Sequence, residues 1–273
     1  MCIYEASYSQ EEAVSADQDS DRYRAPALDK GLDILELLAG VDGGLTQAEI
    51  SKRLDRSPNQ FYRMLDRLVK RGYVTRIDGD RFTLTLKLFG LGQLHAPIRR
   101  LASFSVPPMR ELAEKTLQAN QMTVFDRGYP VVVAQQEAPG YWGISIRVGS
   151  RVSLLDTGAG HVLLAFCNQS DRTMMLAENL GSASHESVTP ELFERLDQIR
   201  NRGYEMMPSA QTAGVINLSA PVLSADGRAL AALTIPYITL INTPGAPDMT
   251  KTIQLLLETV ATLSDLAGAR VEE

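Results

Sequence analysis

Cysteine, histidine and tryptophan are scarce in this chain, at two, three and one in 273 residues. Cys2 and Cys167 are far apart, and Cys2 sits in a polar stretch, which excludes a disulfide framework and fits a reducing compartment. His95, His161 and His185 show no metal-type spacing with cysteine or acid, so no metal site is expected. No apolar run approaches the roughly 20 residues that cross a bilayer. No basic segment followed by an apolar one opens the chain, so a secretory signal is not expected and a cytoplasmic location is. The nucleophile-elbow pattern G-x-S-x-G is missing as well. What remains, 44% apolar and 22% charged, is the composition of a globular protein.

Positive charge is short overall, with a net charge of −6. Residues 26–92 are the exception, with eleven Lys and Arg against nine Asp and Glu. An acidic remainder does not oppose nucleic-acid binding, because the local field at the contact decides. Residues 1–25 are polar, with little apolar periodicity, and read as a disordered tail.

From Ala27 to Leu38, Leu28, Leu32, Ile34, Leu35, Leu37 and Leu38 recur at helical spacing, and Gly40, Gly43 and Gly44 stop the helix. In LTQAEISKRL, Thr46 can cap a second helix while Glu49 reaches back to form a capping box. A third helix has Ser57 at its N-cap, Pro58 in the first helical position and Gln60 in the third. Phe61, Met64, Leu65 and Leu68 form its buried stripe. YVTRIDGDRFTLT then alternates around Asp78-Gly79, a hairpin signal. Helix, helix, turn, helix and hairpin, over 26–85, is the order of a winged helix-turn-helix.

The face of the third helix opposite its apolar stripe shows Asn59, Gln60, Tyr62, Arg63 and Arg67. These types suit a major groove: Arg donates two hydrogen bonds to one guanine, and Asn or Gln pairs with adenine. Ser57 and the free N–H groups of the helix start can hold a phosphate. Gln47 can reach the backbone, and Arg76 and Arg81 flank the hairpin tip for phosphate or minor-groove contact. Lys70 and Arg71 serve either DNA or the helix dipole. One such domain contacts few bases, so two copies on a palindromic operator are expected, in a homodimer or a dimer of dimers. The leucine-rich faces of the first helix and of 86–95 form either that seam or part of the chain's own core.

Residues 86–102 read as a linker helix that continues towards Asn120, with Pro107 and Pro108 interrupting or starting its later part. The second domain, 103–273, changes period. Residues 121–128, 129–137 and 143–149 read as strands. Helices are expected over 158–167, 170–180 and 189–202. VINLSAPVLS and RALAALTIPYI flank Ala225-Asp226-Gly227 as a hairpin, and a last helix covers 248–268. The result is an α+β domain with an antiparallel sheet.

Two functions compete for this domain. It binds a small molecule that biases DNA binding, or it is an enzyme. The enzymatic alternative is an S-adenosylmethionine-dependent methyltransferase, from an acid followed by Gly158 and Gly160 in SLLDTGAGHV. Val162 stands where a third glycine belongs, and the region near Glu178 reads as helix where an acid should end a strand. A non-enzyme without cofactor is the preferred reading.

The run from about Pro26 to Ala267 resembles the IclR family of bacterial transcriptional regulators. ALDKGLDILELLA and LTQAEISKRLDRSPNQFYRMLDRLVKRGYVTRIDGDRFTLTLKLFGLG look like its DNA-binding domain and linker. IRVGSRVSLLDTGAGHVLLAF and RNRGYEMMPSAQTAGVINLSAPVLSADGRALAALTI look like parts of its effector domain. The resemblance implies a GAF/profilin-like effector domain, dimeric DNA-binding domains, and small organic acids or related catabolites as effectors of catabolic operons. Carried over by position, the effector site includes Gly158 and Ala159 at a helix start, Val215 and Asn217 from one strand, and Thr234 from the next. Asn217 and Thr234 either reach ligand or satisfy nearby backbone. Asp156 and His161 stand where the family often has His and Lys, and Met207 and Pro236 replace a common acid and a serine. Tyr141 and Trp142 either stack on a ring-shaped ligand or cover the domain edge.

Overall fold

The computed structural model describes residues 25–94, 96–140, 143–180, 188–241 and 243–268. The expected tail lies outside them except for Ala25, as do Tyr141, Trp142, His95 and His185. The chain forms two compact units that divide between residues 95 and 96.

In the first unit, α1 (Pro26–Ala39) starts with proline in its first turn and buries Ile34 and Leu38. A two-residue strand, β1 (Leu45–Thr46), leads directly into α2 (Gln47–Arg53). The expected capping box is present. The Thr46 N–H donates to Glu49 Oε2 at 2.8 Å and the Glu49 N–H donates to Thr46 Oγ1 at 3.3 Å. Such a cap stabilises a helix by ~1 kcal/mol. Then α3 (Pro58–Lys70) is followed by the hairpin of β2 (Val74–Ile77) and β3 (Arg81–Leu84), joined by a 3-10 turn over Asp78–Asp80. β3 pairs with both β2 and β1 in a three-stranded antiparallel sheet. One core holds the unit together: Ile34, Leu38, Leu45, Ile50, Phe61, Leu65 and Val74. Phe61 is fully buried, a gain of about 1.5–3 kcal/mol over an exposed ring. A winged helix-turn-helix results, as its sequence pattern requires. The unit also contains α4 (Lys87–Leu94).

The second unit begins with α5 (Ala96–Thr116), so 96–102 of the expected linker belong to it. α5 runs through Pro107 and Pro108, which lack the N–H groups that would reach the carbonyls of Ser103 and Phe104. Burial of Leu101, Met109 and Leu112 on either side of the prolines keeps the helix whole.

β4 (Asn120–Asp126) and β5 (Tyr129–Gln136) form a hairpin. After them come α6 (Gly158–Ala165), α7 (Gln169–Leu180) and α8 (Pro190–Arg202). β6 (Glu205–Pro208), β7 (Ile216–Leu223), β8 (Ala229–Tyr237) and α9 (Met249–Leu266) complete the unit. The five strands form one antiparallel sheet in the order β5-β4-β8-β7-β6. Residues 143–149, expected as a strand, are not one. The outer edge of β5 is met instead by the next segment: the Val132 N–H donates to the Ser150 carbonyl, and the Gly149 and Val152 N–H groups donate to Val132 and Pro130.

Strand alternation sorts the sheet into two faces. Met122, Leu218, Ala220, Val222, Leu233 and Ile235 pack with Met109 and Leu112 of α5 and with Leu255, Leu256, Val260 and Leu263 of α9. The opposite face takes α6, which is buried along its whole length, with Leu196 and Ile199 of α8 in the same cluster. That second face also carries a row of polar side chains. Cross-strand register aligns Glu205 with Ser219, Ser219 with Thr234, and Thr234 with Gln121. All four are buried.

Candidate functional site

The outward face of α3 is open. Tyr62 is 62% exposed, and Arg63 and Arg67 are exposed with no ion pair among the described residues. One turn separates the two arginines, about 6 Å along the axis, so both fit within a groove about 12 Å wide. Ser57 has the extended backbone of an N-cap (φ −70°, ψ 147°), but its hydroxyl accepts no bond from the helix. The side chains of Asn59 and Gln60 lie outside the described residues. Gln47 is half-buried and lines a small hollow with Tyr62 and Arg76.

The wing divides its two arginines. Arg76 is exposed and pairs with Asp80 at 2.5 Å across the tip, a surface pair worth at most ~1 kcal/mol that a phosphate can replace. Arg81, expected as a DNA contact, is held by the protein. Its guanidinium donates to the Gly44 carbonyl at 2.9 Å and the Gly43 carbonyl at 3.1 Å, and pairs with Glu49 at 3.1 Å. It fastens the wing to the turn before α2 and to the capping acid. Lys70 pairs with Asp66 at 2.9 Å one turn back, and Arg71 leans over the Tyr73 ring.

In the second unit a cavity of about 380 Å³ lies over the polar row of the sheet. It brings together all five positions expected there: Gly158 and Ala159 at the start of α6, Val215 and Asn217 at the start of β7, and Thr234 on β8. Thr157 caps α6 by accepting from the Gly160 N–H at 3.2 Å. The Gly158 and Ala159 N–H groups have no partner among the described residues, so a ligand anion would meet two free donors at a helix N-terminus. Thr234 bonds not to backbone but to the Ser219 hydroxyl, at 2.8 Å. Asn217 is half-buried with no side-chain partner among the described residues. Pro236 lines the cavity too, whereas Met207 does not.

Of the other lining residues, which the sequence reading did not single out, two bear on ligand chemistry. Arg151 is exposed, stands 5.6 Å from the Tyr129 ring centre, and has no ion pair among the described residues. It is a cation without an ion pair among the described residues, lining the same cavity as the free N–H groups. Gln121 is 4% exposed, and its Oε1 has no hydrogen-bond partner among the described residues. An unsatisfied buried carbonyl costs about 1–3 kcal/mol. A larger cleft of about 720 Å³ opens beside Glu191, Glu194 and Asp156; its Arg195 is already engaged by Glu205.

The close approach of α6 to the sheet at Gly158, and to the segment that leads into the helix at Gly160, explains its glycines. A Cβ at Gly158 would stand 2.7 Å from Ser219 Oγ, and one at Gly160 would stand 2.0 Å from the Leu154 carbonyl oxygen. These glycines permit packing. They follow no strand, the sheet is antiparallel, and Glu178 lies in α7, so the methyltransferase reading has no support in the fold.

Behind α6 stands a buried ionic cluster. Glu205 is fully buried; it accepts from the Met206 N–H at 2.7 Å and Arg195 Nε at 2.6 Å, and also from Arg202 Nη2. His161 Nδ1 lies 3.1 Å from Glu205 Oε2, and Nε2 lies 2.7 Å from the Leu155 carbonyl. Burial pushes the Glu205 carboxyl up, but the bonds from His161, Arg195 and the Met206 amide outweigh it and hold it at about 2. The cluster ties α6, α8 and β6 together, which accounts for His161 where a lysine was expected.

Comparison with known proteins decides the family. The IclR helix-turn-helix domain matches residues 27–78, and the C-terminal domain of the bacterial transcriptional regulator IclR matches residues 95–264. The chain belongs to the IclR family of bacterial transcriptional regulators. Like other IclR proteins it is a DNA-binding regulator of transcription with a helix-turn-helix domain. It is 32% identical to the HTH-type transcriptional regulator BhcR of Paracoccus denitrificans, over 82% of this chain and 80% of that protein. The crystal structure of the Thermotoga maritima IclR is similar with a TM-score of 0.70 at 21% identity, covering 88% of this chain and 98% of that one. An IclR homologue from Microbacterium hydrocarbonoxydans, crystallised with 4-hydroxybenzoate, gives 0.71 at 20% identity, covering 89% and 100%. Among the described residues, no helix is long and apolar enough to cross a membrane.

Proposed function

We propose that a small organic acid bound in the 380 Å³ cavity sets the operator affinity of this regulator, and that the regulated genes form a catabolic operon. Residues 26–85 read the DNA, 103–273 hold the acid, and 86–102 connect them. The carrying observation is the convergence in one cavity of groups with no ion-pair or hydrogen-bond partner among the described residues: Arg151, the first N–H groups of α6 and the Asn217 amide. Together they suit a carboxylate. The 4-hydroxybenzoate held by the Microbacterium homologue is a ligand of this class. On the DNA side, Tyr62, Arg63 and Arg67 face base edges, with Asn59 and Gln60 from the same helix. Ser57, Gln47 and Arg76 hold phosphate or sugar.

Two copies of the chain bind a palindromic operator, as a homodimer or a dimer of dimers. Exposed Leu28, Leu32, Leu86, Phe89 and Leu94 on and beside α1 and α4 support this, since they are not taken into the chain's own core. The acid acts by preferring one of two arrangements of the DNA-reading domains, a coupling typically worth about 1–3 kcal/mol. The test is a calorimetric titration of the full chain with a panel of aliphatic, aromatic and sugar acids. Arg151→Gln should weaken the best binder at least tenfold while operator affinity without ligand stays within twofold. Equal binding by wild type and Arg151→Gln would place the site elsewhere.

A further inference from the structure

Among the described residues, three buried side-chain atoms lack a hydrogen-bond partner, on Ser51, Asn120 and Gln121, and of these residues only Gln121 lines the cavity. The Asn120 amide is anchored through its Nδ2, which donates to the Met109 carbonyl at 2.9 Å. Ser51 belongs to the other unit. Gln121 sits in β4 between two paired neighbours, Gln135 and Thr234, so its backbone and its Cβ direction are set by the sheet. The hydroxyl aligned with it in the row, that of Thr234, bonds to Ser219 at 2.8 Å and makes no bond to Gln121. A nearly fully buried carboxamide on a cavity wall, whose oxygen meets no donor among the described residues, is a vacancy for a donor on whatever fills that cavity.

We propose that Gln121 is a specificity-determining residue and that the effector is a hydroxylated carboxylic acid. This rests on the cavity reading above and narrows it. The carboxylate lies at Arg151 and the start of α6, and a hydroxyl elsewhere on the molecule donates to Gln121 Oε1. A hydroxyl suits a carboxamide in either orientation, since it donates to the oxygen and accepts from the nitrogen. An acid of the same shape without the hydroxyl leaves Oε1 buried and unpaired. Sites built to bond a hydroxyl reject such analogues more strongly than sites that merely lack room.

The experiment is calorimetry on the full chain with matched pairs that differ by one hydroxyl: 3-hydroxybutyrate with butyrate, and 4-hydroxybenzoate with benzoate. Wild type should bind the hydroxylated member of at least one pair tenfold tighter or more. Gln121→Met, which keeps the side-chain length and removes the carboxamide, should bring that ratio within twofold of one by weakening only the hydroxylated acid. Its ligand-free melting temperature should equal or exceed that of wild type, because an unsatisfied group has been removed. An unchanged ratio, or wild-type preference for the unsubstituted acid, overturns the Gln121 assignment alone. A melting temperature more than about 5 °C lower overturns it too, by revealing a protein partner for the carboxamide. No binding of any of the four acids, or binding untouched by Arg151→Gln, overturns the cavity reading and Gln121 with it.

Discussion

Replacing Glu205 with Gln tests the ionic cluster behind α6. The substitution keeps the shape and removes the charge on which His161, Arg195 and Arg202 converge. The two arginines are about 40% exposed and can turn to water, whereas His161 is almost wholly buried and cannot. The carboxyl is held at about 2 against an ordinary 4.5. A displacement of that size corresponds to ~3 kcal/mol of preference for the folded, ionised state. For a unit of this size, that lowers the melting temperature at pH 7 by roughly 6–12 °C. The pH dependence has a definite sign. Because the folded value lies below the unfolded one, the contribution is complete above about pH 4.5 and is lost as pH falls towards 2. Calorimetry of both proteins should therefore show a constant gap from pH 6 to 8 that closes below pH 4.5. A gap under about 2 °C at pH 7, or one that widens in acid, would refute the reasoning.

Two further results are expected. Gly160→Ala should destabilise the second unit by at least ~3 kcal/mol in urea unfolding, because its methyl group would overlap the Leu154 carbonyl, a backbone atom that cannot swing away. Arg76→Ala should weaken operator and random DNA alike and flatten the dependence of log affinity on log salt by about one unit, as loss of one phosphate contact does; a salt series of binding isotherms measures both.

How much of this was readable in advance follows from the range of each signal. α1, α2, α3 and the wing announce themselves through apolar spacing, a capping box and an Asp-Gly turn, all within a few residues of one another. β1 is two residues long and β6 is an edge strand of four, too short for a period to register. Ile144, Ile146 and Val148 do alternate, but Ile144 and Ile146 line the cavity, and the edge of β5 is met by 149–152 instead. Gly158, Ala159, Val215, Asn217 and Thr234 were reached through the family resemblance, and the fold gathers them. Gln121 was invisible because a glutamine at the start of a strand looks like any exposed polar residue; its meaning comes from burial without a partner. Arg81 looked free for DNA because its acceptors at Gly43 and Gly44 lie more than thirty residues away in sequence.

The most direct test of DNA reading by the outward face of α3 is a binding and footprinting comparison of wild type with Arg63→Ala on the operator and on single-base variants of it. Expected is a loss of about 1–3 kcal/mol on the operator with relaxed preference at one base position in each half-site, and little change on random DNA. An unchanged footprint with unchanged affinity, or a loss equal on operator and random DNA, would contradict the placement of this helix against base edges.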